Sequence, residues 1–509
     1  MTREDGIQKI ASGIQWDVVI IGGGATGLGI GVEAATRGYK VLLLEQSDFA
    51  KSTSGKSTKL IHGGVRYLAQ GNIRLVREAS VERGLLYRNA PHLVKNQTFI
   101  IPIYSHWEQL KYYIGLKLYD WISGTLSFGS SVFISKKKIA HQLQNVHTDG
   151  LLGVVMYHDG QFDDARLAIN LAQTMSDLGG TAVNYMQVTG LLKENNKIAG
   201  LTAIDQETQA VYNIRSHAVI NATGVFVDRI INMDDTAAEK SIRVSQGVHL
   251  VIDKKFYPSS HALMIPETSD GRVLFAVPWY DKVVLGTTDT PVAEASLEPV
   301  ALEQEIKFIL NTAGKYLAQQ PERSDVLSVF AGLRPLAAPA AEGKKTKEIS
   351  RSHKIMVSAS GLFSILGGKW TTYRKMGEDM LDRMERTLGW THRPGKTASL
   401  KVHGYTANTL TGPLSFYGSD AQAIATDTLL SGSLQIYQSQ VQWAVKNEMA
   451  RTVEDFLSRR TRALLLDARE SMRIAPEVAR IMAELLAKDA DWAEKETTSF
   501  CKLAEKYLI

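Results

Sequence analysis

The sequence has little cysteine, no long apolar run and no strong excess of either charge. Its 509 residues include one cysteine, Cys501, so neither an intrachain disulfide nor a metal site is predicted. A membrane-spanning helix needs roughly 18 consecutive apolar residues, and no such run occurs. The formal net charge of +5 is too small to indicate nucleic-acid binding, although it suits anionic small molecules or an anionic membrane surface.

The N-terminus and the composition indicate a reducing compartment. The first segment, MTREDGIQKIASGIQ, is charged and lacks the apolar core of a signal peptide. Ile7, Ile10 and Ile14 share one helical face, which predicts a short helix that caps the first domain. With 44% apolar and 22% charged residues, the chain is expected to be a globular cytoplasmic protein.

A glycine-rich turn between two apolar strands is the strongest positive signal. Residues 16–45 read WDVVIIGGGATGLGIGVEAATRGYKVLLLE, with Gly22, Gly24 and Gly27 in GxGxxG spacing. The first glycine allows a sharp turn, the second lets the backbone approach a pyrophosphate, and the third lets the helix pack close to the sheet. The stretch therefore predicts a β-α-β unit that binds a dinucleotide at the N-terminus of its helix.

Glu45 extends this prediction to the adenosine. It stands 23 positions after Gly22, where a carboxylate can accept hydrogen bonds from ribose hydroxyls. A carboxylate there disfavours a 2′-phosphate and so argues against NADP. The unit alone does not separate NAD from FAD.

The order of the later segments favours FAD. Residues 46–68 are rich in Ser, Thr, Gly and Lys, which predicts a loop that wraps a phosphorylated cofactor. Nucleotide-binding pieces return at the turn Asn221–Gly224 and at Gly367–Thr372, with antiparallel-sheet patterns between them over 242–289 and 326–336. A simple NAD dehydrogenase usually keeps its nucleotide domain contiguous, whereas a flavin enzyme threads in and out of it.

Several further elements are predicted from period and turn residues. Helices are expected over 72–90, ended by Pro91, after Asp163 and Asp164, over 302–317, and from Gly368 to Leu388. Other strands are expected over 182–188, 200–204, 210–214, 218–220 and, as a hairpin, 354–366. After the polar linker 391–397, residues 418–509 are predicted to be helical nearly throughout, with no strand signal.

One predicted helix, within 104–128, admits two interpretations. Leu110, Ile114, Leu118 and Ile122 recur every four residues beside lysines, tyrosines and Trp121. This pattern is typical of an interfacial membrane helix. It is equally compatible with a helix that covers a substrate domain.

These patterns predict an α/β fold with three functional parts. An FAD-binding Rossmann-type domain is interleaved with an antiparallel-sheet substrate domain within residues 1–390, and a C-terminal α-helical domain occupies 398–509. The FAD-binding parts are expected at about 16–90, 155–240 and 350–390, and the substrate-binding parts at about 91–154 and 241–349.

A set of motifs, in order, resembles one flavoprotein family. They are IIGGGATGLGIGVEAATRGYKVLLLE, STSGKSTKLIHGGVRYL, NATG, SQGVHLVI, VVLGTTDT, AGLRPL and ILGGKWTTYR. Together they resemble FAD-dependent glycerol-3-phosphate dehydrogenase over about the first 380 residues, and EMARTVEDFLSRRTRALLLDA resembles the helical cap of that family. The glycine turns are shared with the wider amino-acid-oxidase-like class, whereas KLIHGGVRYL, GLRPL and GGKWTTYR are more specific.

The resemblance implies a reaction. A hydride would pass from the carbinol carbon of glycerol 3-phosphate to flavin N5, and the hydroxyl proton to a base, giving dihydroxyacetone phosphate. Electrons would then pass to a membrane quinone, or to oxygen in the oxidase branch. A related flavin oxidase of amino or hydroxy acids, or a non-catalytic FAD-binding protein, remains an alternative.

Candidate catalytic residues follow from physical need and from the resemblance. A phosphate dianion favours at least two cations, and Arg334, Lys369 and Arg66 match the substrate-pocket positions. His62 and His249 are the candidate bases, with His62 preferred because the adjacent Gly63-Gly64 permits close backbone approach. Two further residues could donate hydrogen bonds to substrate oxygens, namely Tyr67 and Thr287.

The same resemblance implies a set of cofactor-binding residues. For the ADP half these are Gly22, Gly24, Ala25, Thr26, Gly27, Glu45, Gln46, Val188 and Gly224. For the isoalloxazine they are Thr53, Ser54, Ser57, Lys59, Leu60, Gly368, Lys369 and Thr371. Trp370 and Gly55-Lys56 depart mildly from the family pattern. The expected partners are glycerol 3-phosphate, a membrane quinone, an anionic membrane surface on the inner face of the cell membrane and a second copy of the chain in a homodimer.

Overall fold

The computed structural model describes residues 1–64, 72–124, 127–139, 143–266, 268, 272–337, 353–408 and 410–509. Its α-helices in chain order are α1 Arg3–Ala11, α2 Ala25–Thr36, α3 Ile73–Asn89, α4 His106–Ser123, α5 Lys136–Ile139, α6 Asp164–Asp177, α7 Val227–Asp234, α8 Glu303–Gly314, α9 Tyr373–Leu388, α10 Gln438–Asn447, α11 Ala463–Leu466, α12 Ala468–Leu485 and α13 Ala490–Ala504.

Two large sheets and one small hairpin contain the strands. The first sheet comprises β1 Trp16–Ile21, β2 Val41–Leu44, β7 Thr181–Val183, β8 Met186–Glu194, β9 Lys197–Asp205, β10 Val211–Asn221, β17 Lys354–Val357 and β18 Phe363–Leu366. The second comprises β3 Leu60–Ile61, β4 Val94–Ile103, β5 Val132–Ser135, β6 Gly153–Phe162, β11 Ile242–Asp253, β12 Ala262–Ile265, β13 Leu274–Trp279, β14 Lys282–Gly286, β15 Thr290–Val292 and β16 Val326–Ala337. The hairpin is β19 Leu429–Ser431 with β20 Ile436–Tyr437.

The first sheet has a parallel centre built on the glycine-rich unit. Strand β1 pairs in parallel with β2 on one side and with β10 on the other, and β10 pairs in parallel with β18. All four residues of β2 and most of β1 are buried, as expected for strands covered on both faces. The carboxyl ends of the parallel strands β1, β2, β10 and β18 therefore lie at the same edge of the sheet.

Two details of the predicted strands differ in this sheet. The strand expected over 182–188 is two strands, because Tyr185 adopts a left-handed φ of +54° and separates β7 from β8. The strands expected over 210–214 and 218–220 are one continuous strand, β10. Its first half pairs antiparallel with β9 and its second half parallel with β1, so the pairing changes without a break in the chain.

The second sheet is mostly antiparallel, and the chain enters it twice, first with β3 to β6 and then with β11 to β16. Its longest pairing joins β11 and β16 from Ile242↔Ala337 to Ile252↔Val326. Strand β6 lies in this sheet for its full length to Phe162, so the expected boundary near residue 155 falls inside a strand. The interleaved architecture predicted from the sequence is confirmed, since the segments of the two sheets alternate along the chain.

The C-terminal part is helical but contains one hairpin. Helices α10 to α13 share a core with Val251, Trp279, Val284 and Phe330 of the second sheet. The expectation of no strands after residue 418 is wrong, because β19 and β20 pair antiparallel there. The hairpin is short and half-exposed, which leaves little apolar alternation in its sequence.

Helix α4 has two different faces. It begins with a capping box in which Ser105 Oγ accepts from Glu108 N and the Glu108 carboxylate accepts from Ser105 N. Leu116 packs inward against β4 and β6. The opposite face exposes apolar side chains: Trp107 by 72%, Leu110 by 51%, Ile114 by 57%, Leu118 by 41% and Trp121 by 78%.

The predicted N-terminal helix is present, but Ile14 was wrongly placed on its face, because the helix ends at Ala11 and Ile14 is 40% exposed. Ile10 of α1 is buried in one cluster with Trp16 and Val183, so the helix packs against the first sheet. Arg3 Nη2 also forms an ion pair of 2.7 Å with Asp205 Oδ1. Among the described residues, the longest apolar helical stretches are too short or too polar to cross a bilayer.

Candidate functional site

The turn between β1 and α2 has the geometry that its glycines predict. Gly22 adopts φ +108°, and a Cβ there would lie 2.8 Å from the carbonyl oxygen of Ala222. A Cβ on Gly27 would lie 1.9 Å from the carbonyl oxygen of Gly22, so helix α2 packs directly on the turn. Ala25 N donates to Ser54 Oγ at 2.9 Å. The first N–H groups of α2 therefore face the loop that follows β2.

Glu45 follows β2 on the same edge of the sheet. Its carboxylate accepts from Gly23 N at 2.7 Å and from Ser47 N at 2.9 Å. Burial raises the pKa of Glu45, although these two backbone bonds act in the opposite direction. The side chain is thus fixed beside the glycine turn, where an adenosine ribose would have to lie.

A first cavity of about 210 Å³ runs along this edge. The predicted cofactor residues that line it are Gly22, Gly24, Ala25, Thr26, Glu45, Gln46, Thr53, Ser54, Val188, Gly224, Gly368 and Lys369. Gly27 lies behind the turn and acts through helix packing. These residues come from β8 and from the segments that follow β1, β2, β10 and β18, so residues distant in sequence meet in one groove.

A second cavity of about 320 Å³ opens over the antiparallel sheet. Both cavities are lined by Thr53, Pro335, Gly368, Lys369 and Trp370. The predicted residues that line the second cavity alone are Ser57, Leu60, His62, His249, Thr287, Arg334 and Thr371. The shared residues form a junction, where an elongated ligand in the first cavity would meet a small one in the second.

Arg334 is held in the second cavity by three oxygens. Its Nη1 lies 3.2 Å from Asp289 Oδ1 and 3.4 Å from the carbonyl oxygen of Gln246, and its Nη2 lies 3.1 Å from Thr287 Oγ1. Gly247 permits this arrangement, because a Cβ there would lie 2.3 Å from Arg334 Nη2. The guanidinium is therefore oriented before any ligand arrives.

His249 is buried in the wall of this cavity. Its Nε2 lies 2.9 Å from Thr58 Oγ1, and its ring stacks on Phe330 with a centroid distance of 4.8 Å. Burial, with the charges of Arg334 and Lys59, holds the pKa of His249 well below its usual range. This shift favours the neutral form of the His249 imidazole.

Lys59 has a structural contact instead of a cavity-facing one. Its fully buried ammonium group lies 2.7 Å from Asp164 Oδ1 and 2.8 Å from the carbonyl oxygen of Gly55. Ser57 Oγ donates to Asp164 Oδ2 at 2.7 Å. The loop between β2 and β3 is thus anchored on the N-terminus of α6, which keeps Ser57 and Leu60 at the cavity wall.

Several lining residues were not identified from the sequence. Asp159 and Tyr157 of β6 line the second cavity, as do Arg272, Asp289 and Lys56. Asp289 lies within the VVLGTTDT motif, so its position carried a signal. Asp159 is a lone acid inside a strand, and its place in the cavity depends on the pairing of β3 with β6. Arg66 and Tyr67 lie outside the described residues.

A group of potential metal ligands lies away from both cavities. Atoms of Asp382, Glu385 and His392 lie within 4.8 Å of one another. Arg37 pairs with both acids, with Nη2 at 2.8 Å from Asp382 Oδ1 and Nη1 at 3.0 Å from Glu385 Oε2. The group is therefore an ion-pair network of α2 and α9.

Comparison with known proteins matches nearly the whole chain. The family described as FAD dependent oxidoreductase matches residues 17–374, and the C-terminal domain of alpha-glycerophosphate oxidase matches residues 363–493. The Schizosaccharomyces pombe mitochondrial glycerol-3-phosphate dehydrogenase is 35% identical over 100% of this chain and 89% of that protein. The human protein of the same name is 34% identical over 100% of this chain and 75% of that protein.

One solved structure is similar over almost its whole length. It is the glycerol-3-phosphate dehydrogenase of Bacillus halodurans complexed with FAD. The TM-score is 0.79 at 27% sequence identity, over 99% of this chain and 97% of that chain. The similarity therefore includes both sheets and the C-terminal helices.

Proposed function

The chain belongs to the FAD-dependent glycerol-3-phosphate dehydrogenases, and from that premise we propose how its cavities divide the reaction. FAD occupies the first cavity, glycerol 3-phosphate occupies the second, and the two meet at Thr53, Gly368, Lys369 and Trp370. The product is dihydroxyacetone phosphate. The observation that carries this proposal is the continuity of a dinucleotide groove with a cation-lined pocket.

The first cavity fits FAD in its donors and its shape. Gly24 is the N-cap of α2 and has no side chain, so a pyrophosphate can approach the backbone at this helix N-terminus. The Glu45 carboxylate and Gln46 lie at the adenosine end, and Val188 of β8 lines the wall there. At the other end, Gly367 and Gly368, with φ of +72° and +87°, lead into the helical turn Trp370–Thr372. When bound, FAD supplies the hydride acceptor.

Arg334 and Lys369 are the proposed phosphate ligands. Both line the second cavity, and a planar guanidinium matches two oxygens of a phosphate at once. Thr287 Oγ1 accepts from Arg334 Nη2 at 3.1 Å and donates to the carbonyl oxygen of Thr288 at 3.2 Å, so it holds the guanidinium in place. These groups orient the substrate by its phosphate, which leaves the carbinol carbon toward the junction.

His62 is the proposed base, and His249 supports the pocket. Both side chains line the cavity. The pKa of His249 is held low by burial, so its neutral ring is a weak base, and its Nε2 is already engaged by Thr58. His62 directly follows the last paired residue of β3 and lines the second cavity.

The exposed face of α4 supports a membrane quinone as the electron acceptor. Trp107, Leu110, Ile114, Leu118 and Trp121 form one apolar stripe, and Lys111 lies beside it. Such a helix can lie in the headgroup region of an anionic bilayer. We propose that this face binds the inner surface of the cell membrane, where the reduced flavin can meet quinone. A homodimer stays a prediction.

Anaerobic reduction by glycerol 3-phosphate tests the proposed reaction. The flavin absorbance at about 450 nm should fall when glycerol 3-phosphate is added, and not when glycerol or lactate is added, because the pocket requires a phosphate. Bleaching by lactate or an amino acid would instead support the carboxylate-oxidase alternative. No bleaching by any alcohol or amine would support a non-catalytic FAD-binding role.

Reoxidation of the reduced protein separates the two possible acceptors. We expect slow reaction with dissolved oxygen and fast reaction with a soluble quinone analogue, both followed by stopped-flow absorbance. Fast reoxidation by oxygen would place the chain in the oxidase branch.

Sedimentation with anionic vesicles tests the proposed membrane contact of α4. The double variant Trp107→Ser with Trp121→Ser should bind the vesicles more weakly, whereas Val211→Ser, also at an exposed apolar position, should bind them as the wild type does.

A further inference from the structure

Tyr119 lies on the inner face of the helix whose outer face is apolar. Its side chain is 2% exposed, while Leu118 and Trp121 on either side of it are 41% and 78% exposed. The Tyr119 hydroxyl donates to Asp159 Oδ2 at 3.0 Å and accepts from Gly63 N at 2.9 Å. Tyr119 therefore connects α4 to the residue directly after His62.

Asp159 forms hydrogen bonds with three segments: helix α3, helix α4 and the residue after His62. Its Oδ1 accepts from Arg83 Nη1 of α3 at 2.6 Å and from Gly63 N at 3.3 Å, and Arg83 Nη1 also donates to the Tyr119 hydroxyl at 2.9 Å. Arg83 is fully buried and Asp159 is 2% exposed. Asp159 also lines the second cavity. A buried charged network of this kind has few alternative geometries.

The backbone at Gly63 packs closely against this network, with no room for a side chain. A Cβ on Gly63 would lie 2.3 Å from the Tyr119 hydroxyl oxygen and 2.6 Å from Ser80 Oγ. The register of β3 with β6 ends at Ile61↔Gly160, so His62 is the first residue beyond the pairing. The bonds of Gly63 are therefore the next fixed point of the backbone after the strand ends.

We propose that Tyr119 is a positioning residue for proton transfer at His62. Its hydroxyl, held by Asp159 and Arg83, fixes the Gly63 amide and thereby the direction in which the His62 imidazole enters the cavity. This inference rests on the proposed role of His62 as the base. It also means that the helix with the exposed apolar face contributes directly to active-site geometry.

The test compares three variants as flavin-loaded proteins. Tyr119→Phe removes the hydroxyl, His62→Asn removes the base, and Tyr39→Phe is the matched control. Tyr39 is also a buried tyrosine that donates to a carboxylate, Glu385 Oε1 at 2.9 Å, but it lies outside both cavities. Anaerobic stopped-flow reduction by glycerol 3-phosphate gives the limiting rate and the substrate Kd separately.

We expect Tyr119→Phe to lower the limiting reduction rate by about 10-fold to 100-fold, because a displacement of about 1 Å in a catalytic group has effects of that size. The Kd for glycerol 3-phosphate should stay within about threefold, and the solvent deuterium isotope effect on reduction should increase as proton transfer becomes limiting. Tyr39→Phe should leave all three quantities unchanged.

A lower flavin content with an unchanged rate in the loaded fraction would show a purely structural role and overturn the inference. So would an unchanged rate in Tyr119→Phe when His62→Asn is inactive. If His62→Asn retains the wild-type rate, the proposed base itself is wrong, whatever Tyr119→Phe does. Should Tyr119→Phe not fold, Asp159→Asn loosens the same contact, and the same pattern of rate, Kd and isotope effect is expected.

Discussion

At the scale of single residues, Arg334 should dominate substrate binding. We expect Arg334→Lys to raise the KM for glycerol 3-phosphate, because an ammonium point charge replaces a fork that can bind two phosphate oxygens. A charge-assisted hydrogen bond contributes about 1.5–3 kcal/mol, which corresponds to a rise of about 10-fold to 150-fold in steady-state KM. Asp289 and Thr287 remain to hold the new ammonium near the same place.

Arg323→Lys is the matched control for that measurement. Arg323 forms an exposed ion pair with Glu303 at 2.8 Å, and its side chain is 49% exposed. Its replacement should leave the KM unchanged. An unchanged KM in Arg334→Lys, together with unchanged competitive inhibition by inorganic phosphate, would remove Arg334 from the phosphate site.

At the scale of elements, the π-helical turn Asp455–Arg460 holds the FAD-binding loop through buried charges. Arg459 and Arg460 both donate to Asp48, which stands three residues after Glu45. Burial raises the pKa of Asp48, but the two guanidinium groups outweigh it and lower the pKa to about 2. Since this is below the unfolded value of 3.8, the carboxylate stabilises the folded protein above about pH 4 and loses that effect as the pH falls toward 2.

Asp48→Asn should therefore lower the thermal midpoint at pH 7, since breaking a buried pair costs about 3–5 kcal/mol. The difference from the wild type should shrink as the pH falls from about 4 toward 2, because the Asp48 carboxylate becomes protonated over that range. Circular dichroism melts of the flavin-loaded proteins measure both effects. Glu484→Gln removes an exposed pair with Arg480 and should leave the midpoint unchanged at every pH. A pH-independent difference for Asp48→Asn would refute the assigned charge effect.

At the scale of the whole molecule, FAD should act as a structural ligand that joins segments distant in sequence. The first cavity is lined by residues of β8 and of the segments that follow β1, β2, β10 and β18. Removing FAD should lower the melting midpoint, and adding it back at about 100 times its Kd should restore about 2.7 kcal/mol. FMN is the control in fluorimetric melts, because it lacks the adenosine that Glu45 and Val188 would contact. Equal stabilisation by FMN would contradict the assignment of the adenosine end.

The sequence alone determined the parts of this protein that depend on local chemistry. The glycines of the turn require positive φ or close backbone approach: Gly22 has a positive φ, and Gly27 lies against the carbonyl oxygen of Gly22. Burial on both faces makes β1 and β2 continuous apolar runs, so their positions were readable. The helices, the alternation of the two sheets and the family motifs could also be predicted, because each depends on residues close together in the sequence.

Only the tertiary structure decided the parts that depend on pairing between distant segments. The register of β3 with β6 brings Asp159 beside Gly63, and no local pattern marks a lone acid in a strand as a site residue. Burial and nearby cations lower the pKa of His249, and a buried ion pair with Asp164 keeps Lys59 out of the lining of both cavities. The sequence shows which chemical groups are present, whereas burial and contacts between distant segments determine which of these groups line the cavities.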